Sequence, residues 1–467
     1  MLISGWTHPL SLLRDELVQL EYEGYIIPEK VTEQIAMLHP VYDAYNEKKI
    51  LAIYAELENL PRDPEFDFIQ PNELEEIKKE RPSGPRQLPL ALNDKDLLDR
   101  FRGAWTGRAA GCALGKPVEG LGMRGHGDMN GREAIRYYLK NRGHWELDYY
   151  FSGSDTGDGI KLGCPLSWRE NIKFMEPDDD IHYSLIGLKV LEEKGPDFQW
   201  YDIPDTWNSS LPYKAVCTAE AQAILNYNLV RPLRLRDLPA DIIPVTAAFT
   251  RRHNNPYRER IGAQIRADGW AYACAGNPEL AAEYAWRDAC WTHTANGIYG
   301  EMFVAAVIAA TFVESSPGKL VEIGLSEIPR HCRLSAAIRE ARTWIPECTT
   351  FEDFMPRLEK RYAGMHAGHA VNNALIVMMS LFYGQMNCDR TIGIAVMGGL
   401  DTDCNGATAG SIAGAAAGYR NMGGKLAAPL NDTIKPLVFG FQEITMKELA
   451  ERTLAVHQKV KAYAGKH

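Results

Sequence analysis

Ile392-Gly393-Ile394-Ala395-Val396-Met397-Gly398-Gly399-Leu400-Asp401-Thr402-Asp403-Cys404-Asn405 runs from an apolar segment through a glycine turn and two aspartates into an alanine-rich stretch that carries Gly406, Gly410, Gly414 and Gly418. Glycine at every fourth position places four of them on one helical face. Because each costs ~1 kcal/mol in a helix interior, that face is expected to pack closely on another helix. The turn before it has a different character. Glycines allow a tight bend, and Asp401 and Asp403, two apart on irregular backbone, can aim both carboxylates at one point.

A second acidic helix start lies more than two hundred residues upstream, at Pro177-Asp178-Asp179-Asp180. It precedes a helix with Leu185, Leu188 and Val190 or Leu191 on its apolar face. One aspartate suffices to cap a helix and complement its dipole. Three adjacent carboxylates repel one another unless they are solvated or neutralised, and all-oxygen ligation suits Mg²⁺, Mn²⁺ or Ca²⁺. Two such starts in apolar surroundings are most simply explained by a cation between them, with Asp178, Asp179, Asp180, Asp401 and Asp403 as its ligands.

The rest of the chain reads as all-α. Asn93 or Asp94 caps a helix whose Leu97, Phe101 and Trp105 repeat at helical spacing toward Gly111 and Gly115. Further helical patterns fall at about 180–194, 215–228, 278–291, 300–314, 334–344, 369–384 and 405–418. Between Leu121 and Phe174 the sequence is loop-rich, and loops of that length are usually functional. Residues 1–90 are read as an appendage of amphipathic helices, with Leu12, Leu13, Leu17 and Leu20 on one stripe and Pro28 opening the next, followed by a proline-rich linker from Pro61. The boundary is placed near 92, leaving 91–467 as the catalytic domain, since a chain of 467 residues exceeds the usual size of one core.

Composition narrows the function classes. A net charge of −10 without a Lys/Arg block argues against nucleic acid and acidic membranes as partners and for small-molecule chemistry. The nine cysteines are dispersed without a C-x-x-C pair, which fits a reducing cytoplasm. Charged residues Arg14, Asp15 and Glu16 interrupt the Met1–Leu20 stretch, so no signal peptide is expected. The longest apolar run, Met302–Val313, spans 12 residues where a bilayer needs ~20, so it is read as a buried helix. Nothing in the sequence fixes the oligomeric state.

Several blocks in order resemble the ADP-ribosylglycohydrolase family, which includes ADP-ribosyl-arginine and ADP-ribosyl-serine hydrolases and the dinitrogenase reductase-activating glycohydrolase. Arg102-Gly103-Ala104 through Gly115-Lys116-Pro117-Val118-Glu119 resembles its first core helix and G-x-P-x-E end. Asp178-Asp179-Asp180 is similar to its T-D-D motif, and Gly262-Ala263-Gln264-Ile265-Arg266 to G-G-A-M-R. Thr292-His293 resembles T-H, and Gly398–Asn405 resembles G-G-x-D-T-D-T-N. The resemblance covers roughly 95–430.

It implies an all-helical fold with a binuclear Mg²⁺ site at the floor of a cleft. Asp179, Asp180, Asp401 and Asp403 inherit ligand roles. Asp178 and Cys404 stand where the family has threonines, and a soft sulfur suits Mg²⁺ poorly; whether one or two metals bind is left open. The implied reaction is hydrolysis of an ADP-ribosyl bond through an oxocarbenium-like transition state stabilised by carboxylates. Glu119 has a gating or acid/base role, and Asp179 or Asp180 acts as general base. Substrate contacts are expected from Ser154 and Asp155 in the 152–159 turn, from Gly262, and from His293 and Asn296. Asn255 and Arg258 occupy the segment where ADP-ribose-binding members cradle the diphosphate with small residues, which points to altered specificity. Arg266 is read as a buried ion-pair partner. Two alternatives remain: hydrolysis of a smaller ribosyl or nucleoside-like glycoside, and a non-catalytic ADP-ribose binder.

Overall fold

Two helices meet glycine to glycine at the centre of the molecule, Asp94–Gly115 and Thr402–Ala417. They run antiparallel, with Gly103 against Gly414, Gly107 against Gly410, Gly111 against Gly406 and Gly115 against Thr402. A Cβ added at Gly406 would lie 2.5 Å from the Gly111 carbonyl oxygen, so only hydrogen fits between the backbones. The close packing expected from the 406–418 glycines is therefore present, and its partner is a second glycine ladder with the same spacing.

The computed structural model describes residues 8–39, 44–230 and 246–466. Each expected helical pattern has a counterpart: Asp179–Lys194, Thr218–Val230, Pro278–Ala289, Ala295–Thr311, Arg333–Trp344, Ala370–Gly384 and Thr402–Ala417. Every residue of Ala295–Thr311 is buried, because its sequence is apolar all round. No helix of the described residues is long and apolar enough to cross a membrane. Among the described residues the only strands are Thr433–Ile434 and Ile444–Thr445, paired antiparallel, so the architecture is all-helical. Asn93, not Asp94, caps the first glycine helix, its side chain accepting from Asp96 N at 3.0 Å. The 121–174 stretch departs from the loop reading: the short helix Glu119–Arg124 runs into it, Pro165–Ser167 makes one 3-10 turn, and a longer helix lies between them. Gly131–Asn141 is a helix started by a reciprocal capping pair, Asn130 and Glu133, and it buries Ala134, Ile135, Tyr138 and Leu139.

The amino-terminal helices Pro9–Tyr22, Glu29–Ala36 and Ala44–Leu57 build their own apolar cluster from Leu13, Leu20, Val31, Ile35, Ile50 and Ile53. Leu12 points away from it, onto Ala219 and Tyr257 of the main body. The first seven residues of the Met1–Leu20 stretch lie outside the described residues. Residues 61–90 have linker composition yet are fastened to the body. Ile77 is fully buried, Trp286 Nε1 donates to the Asn72 carbonyl at 2.8 Å, and the Tyr299 hydroxyl donates to the Pro71 carbonyl. Arg81 and Arg86 both pair with Glu279 and Glu327.

Candidate active site and metal centre

The glycine turn is clamped from two sides. Gly399 (φ +75°) and Leu400 (φ +58°) take left-handed backbone, and Asp401 N then donates to Asn373 Oδ1 at 3.2 Å. The same oxygen accepts from Asn405 Nδ2 at 2.7 Å, while the Asn373 amide donates to the Ala367 and His369 carbonyls. Thr402 Oγ1 donates to the Gly115 carbonyl at 2.8 Å, tying the turn to the end of the first glycine helix.

The 178–180 segment is held just as firmly. Asp178 caps its helix, accepting from Asp180 N at 3.0 Å, and its other oxygen pairs with Lys116 Nζ at 3.0 Å. Buried Arg108 donates to the Asp180 carbonyl at 2.8 and 2.6 Å, and it pairs with Asp268 at 2.7 Å and with Asp180 Oδ1 at 3.3 Å. These restraints bring the two distant motifs together. Ligand atoms of Asp180, Asp403 and Cys404 lie within 4.8 Å of one another, as do those of Glu119, Asp401 and Asp403, and those of Cys112, Asp178 and Asp180.

The electrostatics of this convergence are one-sided. Burial, followed by neighbouring carboxylates, pushes Asp179, Asp180 and Asp403 well above the ordinary aspartate range. Burial also raises Asp401, and it lifts Glu119 to about 7 with Asp401 and Asp178 adding to the shift. Only Asp178 is lowered: burial acts to raise it, but the charge and hydrogen bond of Lys116 prevail. Asp180 Oδ2 and Asp401 Oδ1 are buried without any hydrogen-bond partner. Buried, unpartnered, mutually repelling oxygens are the environment that a hard divalent cation resolves, so the donor set fits such an ion. Burial pushes the thiols of Cys112 and Cys404 well above the ordinary range, and soft sulfur is a poor match for a hard cation beside so many carboxylate oxygens.

The profile of the ADP-ribosylglycohydrolase family matches residues 93–462. The chain belongs to that family. Among solved structures, one titled ADP-ribosylglycohydrolase-related protein complex is 18% identical with a TM-score of 0.48, covering 78% of this chain and 99% of that one. A search of curated proteins finds no match. ADP-ribosylglycohydrolases are glycosyl hydrolases, and hydrolase chemistry is the coarse assignment that follows.

Within this family frame, several residues expected to meet substrate turn out to brace the body. Arg258 is a correction: it is fully buried, with Glu16 at 2.8 Å and Glu23 at 2.5 Å, and has no edge left for a phosphate. Asn255 is likewise buried, its amide spent on the Ala219, Arg251 and Thr292 carbonyls. Asn296 holds Glu259 and Gln70 and accepts from Leu334 N, so it too is internal. Ser154 and Asp155 sit on an exposed turn, where Arg142 holds the Ser154 carbonyl and Asp155 caps Gly157 N; neither joins the converging carboxylates. Gly262 packs on the Glu220 carboxyl. His293 is buried, with Nδ1 2.7 Å from Thr292 Oγ1 and Nε2 3.8 Å from Glu220, and burial followed by the charge of Arg266 pushes it well below the ordinary imidazole range. Arg266 is the internal ion-pair partner of Asp288 and Glu220.

Sequence reading missed Arg108, Lys116 and Asn373, which position the acidic motifs. Each left a signal. Arg108 is the lone charge in the glycine- and alanine-rich second half of its helix, Gly103–Gly115, Lys116 is the cation that directly follows that run, and Asn372-Asn373 interrupts an apolar helix. A buried polar group in such a setting needs a partner, and here the partners are the site's own backbone and carboxylates.

Proposed function

We propose that this chain hydrolyses the anomeric bond of an ADP-ribosyl conjugate, on a protein side chain or a small molecule, in a reaction dependent on a divalent metal. The observation that carries this reading is the convergence of Asp180 and Asp403 with Asp401 and Glu119, two of whose buried oxygens lack any partner.

Asp179, Asp180, Asp401 and Asp403 would hold one or two Mg²⁺ ions, with Mn²⁺ or Ca²⁺ as alternative occupants. When bound, the metal lowers the pKa of water and orients sugar hydroxyls. The chain's own groups do the rest. Glu119, poised near 7, can give a proton to the departing atom or take one from water at its carboxyl oxygen. Asp179 or Asp180 would act as the general base. The surrounding carboxylates stabilise positive charge growing on the ribose ring. Lys116 and Arg108 keep Asp178 and Asp180 aimed without touching substrate. A reducing cytoplasm is the compartment we assign, supported by nine free cysteines.

A smaller riboside is the second reading, favoured because Asn255 and Arg258 are turned into the body and offer a diphosphate no contact. The deciding experiment offers ADP-ribosylated arginine and serine peptides, small ADP-ribose conjugates and simple ribosides, with Mg²⁺, Mn²⁺ or chelator. Metal-dependent release of ADP-ribose is expected. Turnover of simple ribosides alone would transfer the assignment to the second reading, and turnover unaffected by chelator would remove the mechanism.

A further inference from the structure

Arg258 and Arg260 stand two residues apart and meet different fates. Arg258 is saturated by the appendage carboxylates Glu16 and Glu23. Arg260, half-buried, has no carboxylate oxygen within 4.0 Å among the described residues, and its guanidinium donates no hydrogen bond there. It lies 4.4 Å from the centroid of the Tyr257 ring. A half-buried guanidinium that lies against an aromatic face, with its counter-charge Asp15 beyond ion-pair distance, keeps its donors free for a further partner.

Its placement says what is missing. Ile261 N donates to the Gly368 carbonyl at 2.9 Å and Ala370 N to the Glu259 carbonyl at 3.0 Å, which sets Arg260 opposite His369. On that same strap, a Cβ at Gly368 would lie 3.6 Å from Asp401 Oδ2. Arg260 therefore sits on the rim of the acidic centre, and the charges it feels are those of Asp15, Tyr257 and Tyr22, then Asp401. Two of these, Asp15 and Tyr22, belong to the first helix of the appendage, whose Tyr22 ring also packs edge-on against His369 at 5.0 Å.

We propose that Arg260 receives the phosphate of the substrate, the diphosphate in the case of ADP-ribose, and that Asp15 and Tyr22 of the appendage set the position of its guanidinium. The assignment rests on the reading of the acidic centre as a ribosyl site. It gives the phosphate a bidentate, charge-assisted partner, which Arg258, spent on Glu16 and Glu23, cannot be. It also gives the appendage a part in choosing substrate.

Calorimetric titration of the full chain with Mg²⁺ tests this, using ribose, ribose 5-phosphate, adenosine and ADP-ribose as probes. The wild type is expected to bind each phosphorylated probe about tenfold or more tighter than its neutral counterpart. Arg260→Gln should abolish that preference while leaving ribose and adenosine binding within about twofold, which also shows the variant folded; Arg260→Lys should restore part of it. Arg124→Gln, at an exposed arginine that interacts with Glu119 from the other side, should keep it. The preference of the wild type should fall as salt rises. Absence of phosphate preference in the wild type, its persistence in Arg260→Gln, or equal loss in Arg124→Gln would overturn the assignment. If Arg260-dependent phosphate binding is found but no ADP-ribosyl conjugate is cleaved, Arg260 keeps its role and the hydrolase reading falls.

Discussion

Replacing Gly107 with alanine tests the architecture at its centre. The new methyl would overlap the Gly410 carbonyl oxygen and press on Gly414 Cα at 3.4 Å, both backbone, so no rotamer change can relieve it. Inserting a methyl into a well-packed core costs ~1–3 kcal/mol where side chains can adjust. Here the two helices must part along their length and lose contacts all down the glycine face. Against this, alanine gains ~1 kcal/mol of helix propensity. Taking the upper end of that cost, the balance is a loss of about 2 kcal/mol, which for a unit of this size lowers Tm by on the order of 2–3 °C. Differential scanning calorimetry is the assay, with Gly318→Ala as the matched control. Gly318 also lies in a helix, Pro317–Leu325, but a Cβ there meets nothing within 4 Å, so that variant should be neutral or up to ~1 kcal/mol more stable. A Gly107→Ala protein that melts at or above the wild type, or a Gly318→Ala protein equally damaged, would refute the reasoning.

Other perturbations carry their own signs. Asp403→Asn should raise the Tm of chelated protein, because it removes one of several mutually repelling buried carboxylates, and should erase the Tm rise on adding Mg²⁺, which for a site at a hundredfold saturation is worth ~2.7 kcal/mol in the wild type. A variant that still responds fully to Mg²⁺ would contradict the ligand assignment. His182 accepts from Leu437 N at 3.0 Å, and burial lowers it to about 4. Its folded value lies below the unfolded ~6.5, so its contribution is fully present above pH ~6.5 and is lost as pH falls toward 4. In thermal melts across that window the stability gap between wild type and His182→Gln should narrow on acidification, and a constant gap would rule out the linkage. The double change Glu16→Gln, Glu23→Gln strands a buried guanidinium and should cost ~3–5 kcal/mol, whereas adding Arg258→Met should recover much of it; urea unfolding of the three proteins decides.

The helices and the acidic motifs were legible because their signals are local: periodicity, caps, a glycine every fourth residue, aspartates at helix starts. The ladder of Gly103, Gly107, Gly111 and Gly115 carried the same signal as its partner, but it was masked by the bulky Phe101 and Trp105 on the same helix. What escaped was anything requiring two distant segments at once. Arg258 looked like a phosphate contact, since nothing local shows that Glu16 and Glu23 arrive from 235 or more positions upstream to claim it. Asn255 and Asn296 failed for the same reason: an asparagine that binds a sugar and one that satisfies carbonyls and carboxylates in the core have identical sequence signatures. The segment from Pro61 to Leu90 had the composition of a spacer, and only the positions of Glu279, Glu327 and Trp286 reveal that it is moored.

Leu400 carries one more implication. A bulky residue in left-handed backbone sits uphill by ~1–2 kcal/mol, and the hydrogen bonds on either side of it run to Val396, Asn373 and Gly115. Together with those bonds, the apolar helix before it and the glycine helix after it act like the two jaws of a sprung clip. The aim of Asp401 and Asp403 thus depends on neighbouring helices as well as on the turn itself, and a fault along those jaws is expected to be felt first as a blunted centre and only later as a melted protein.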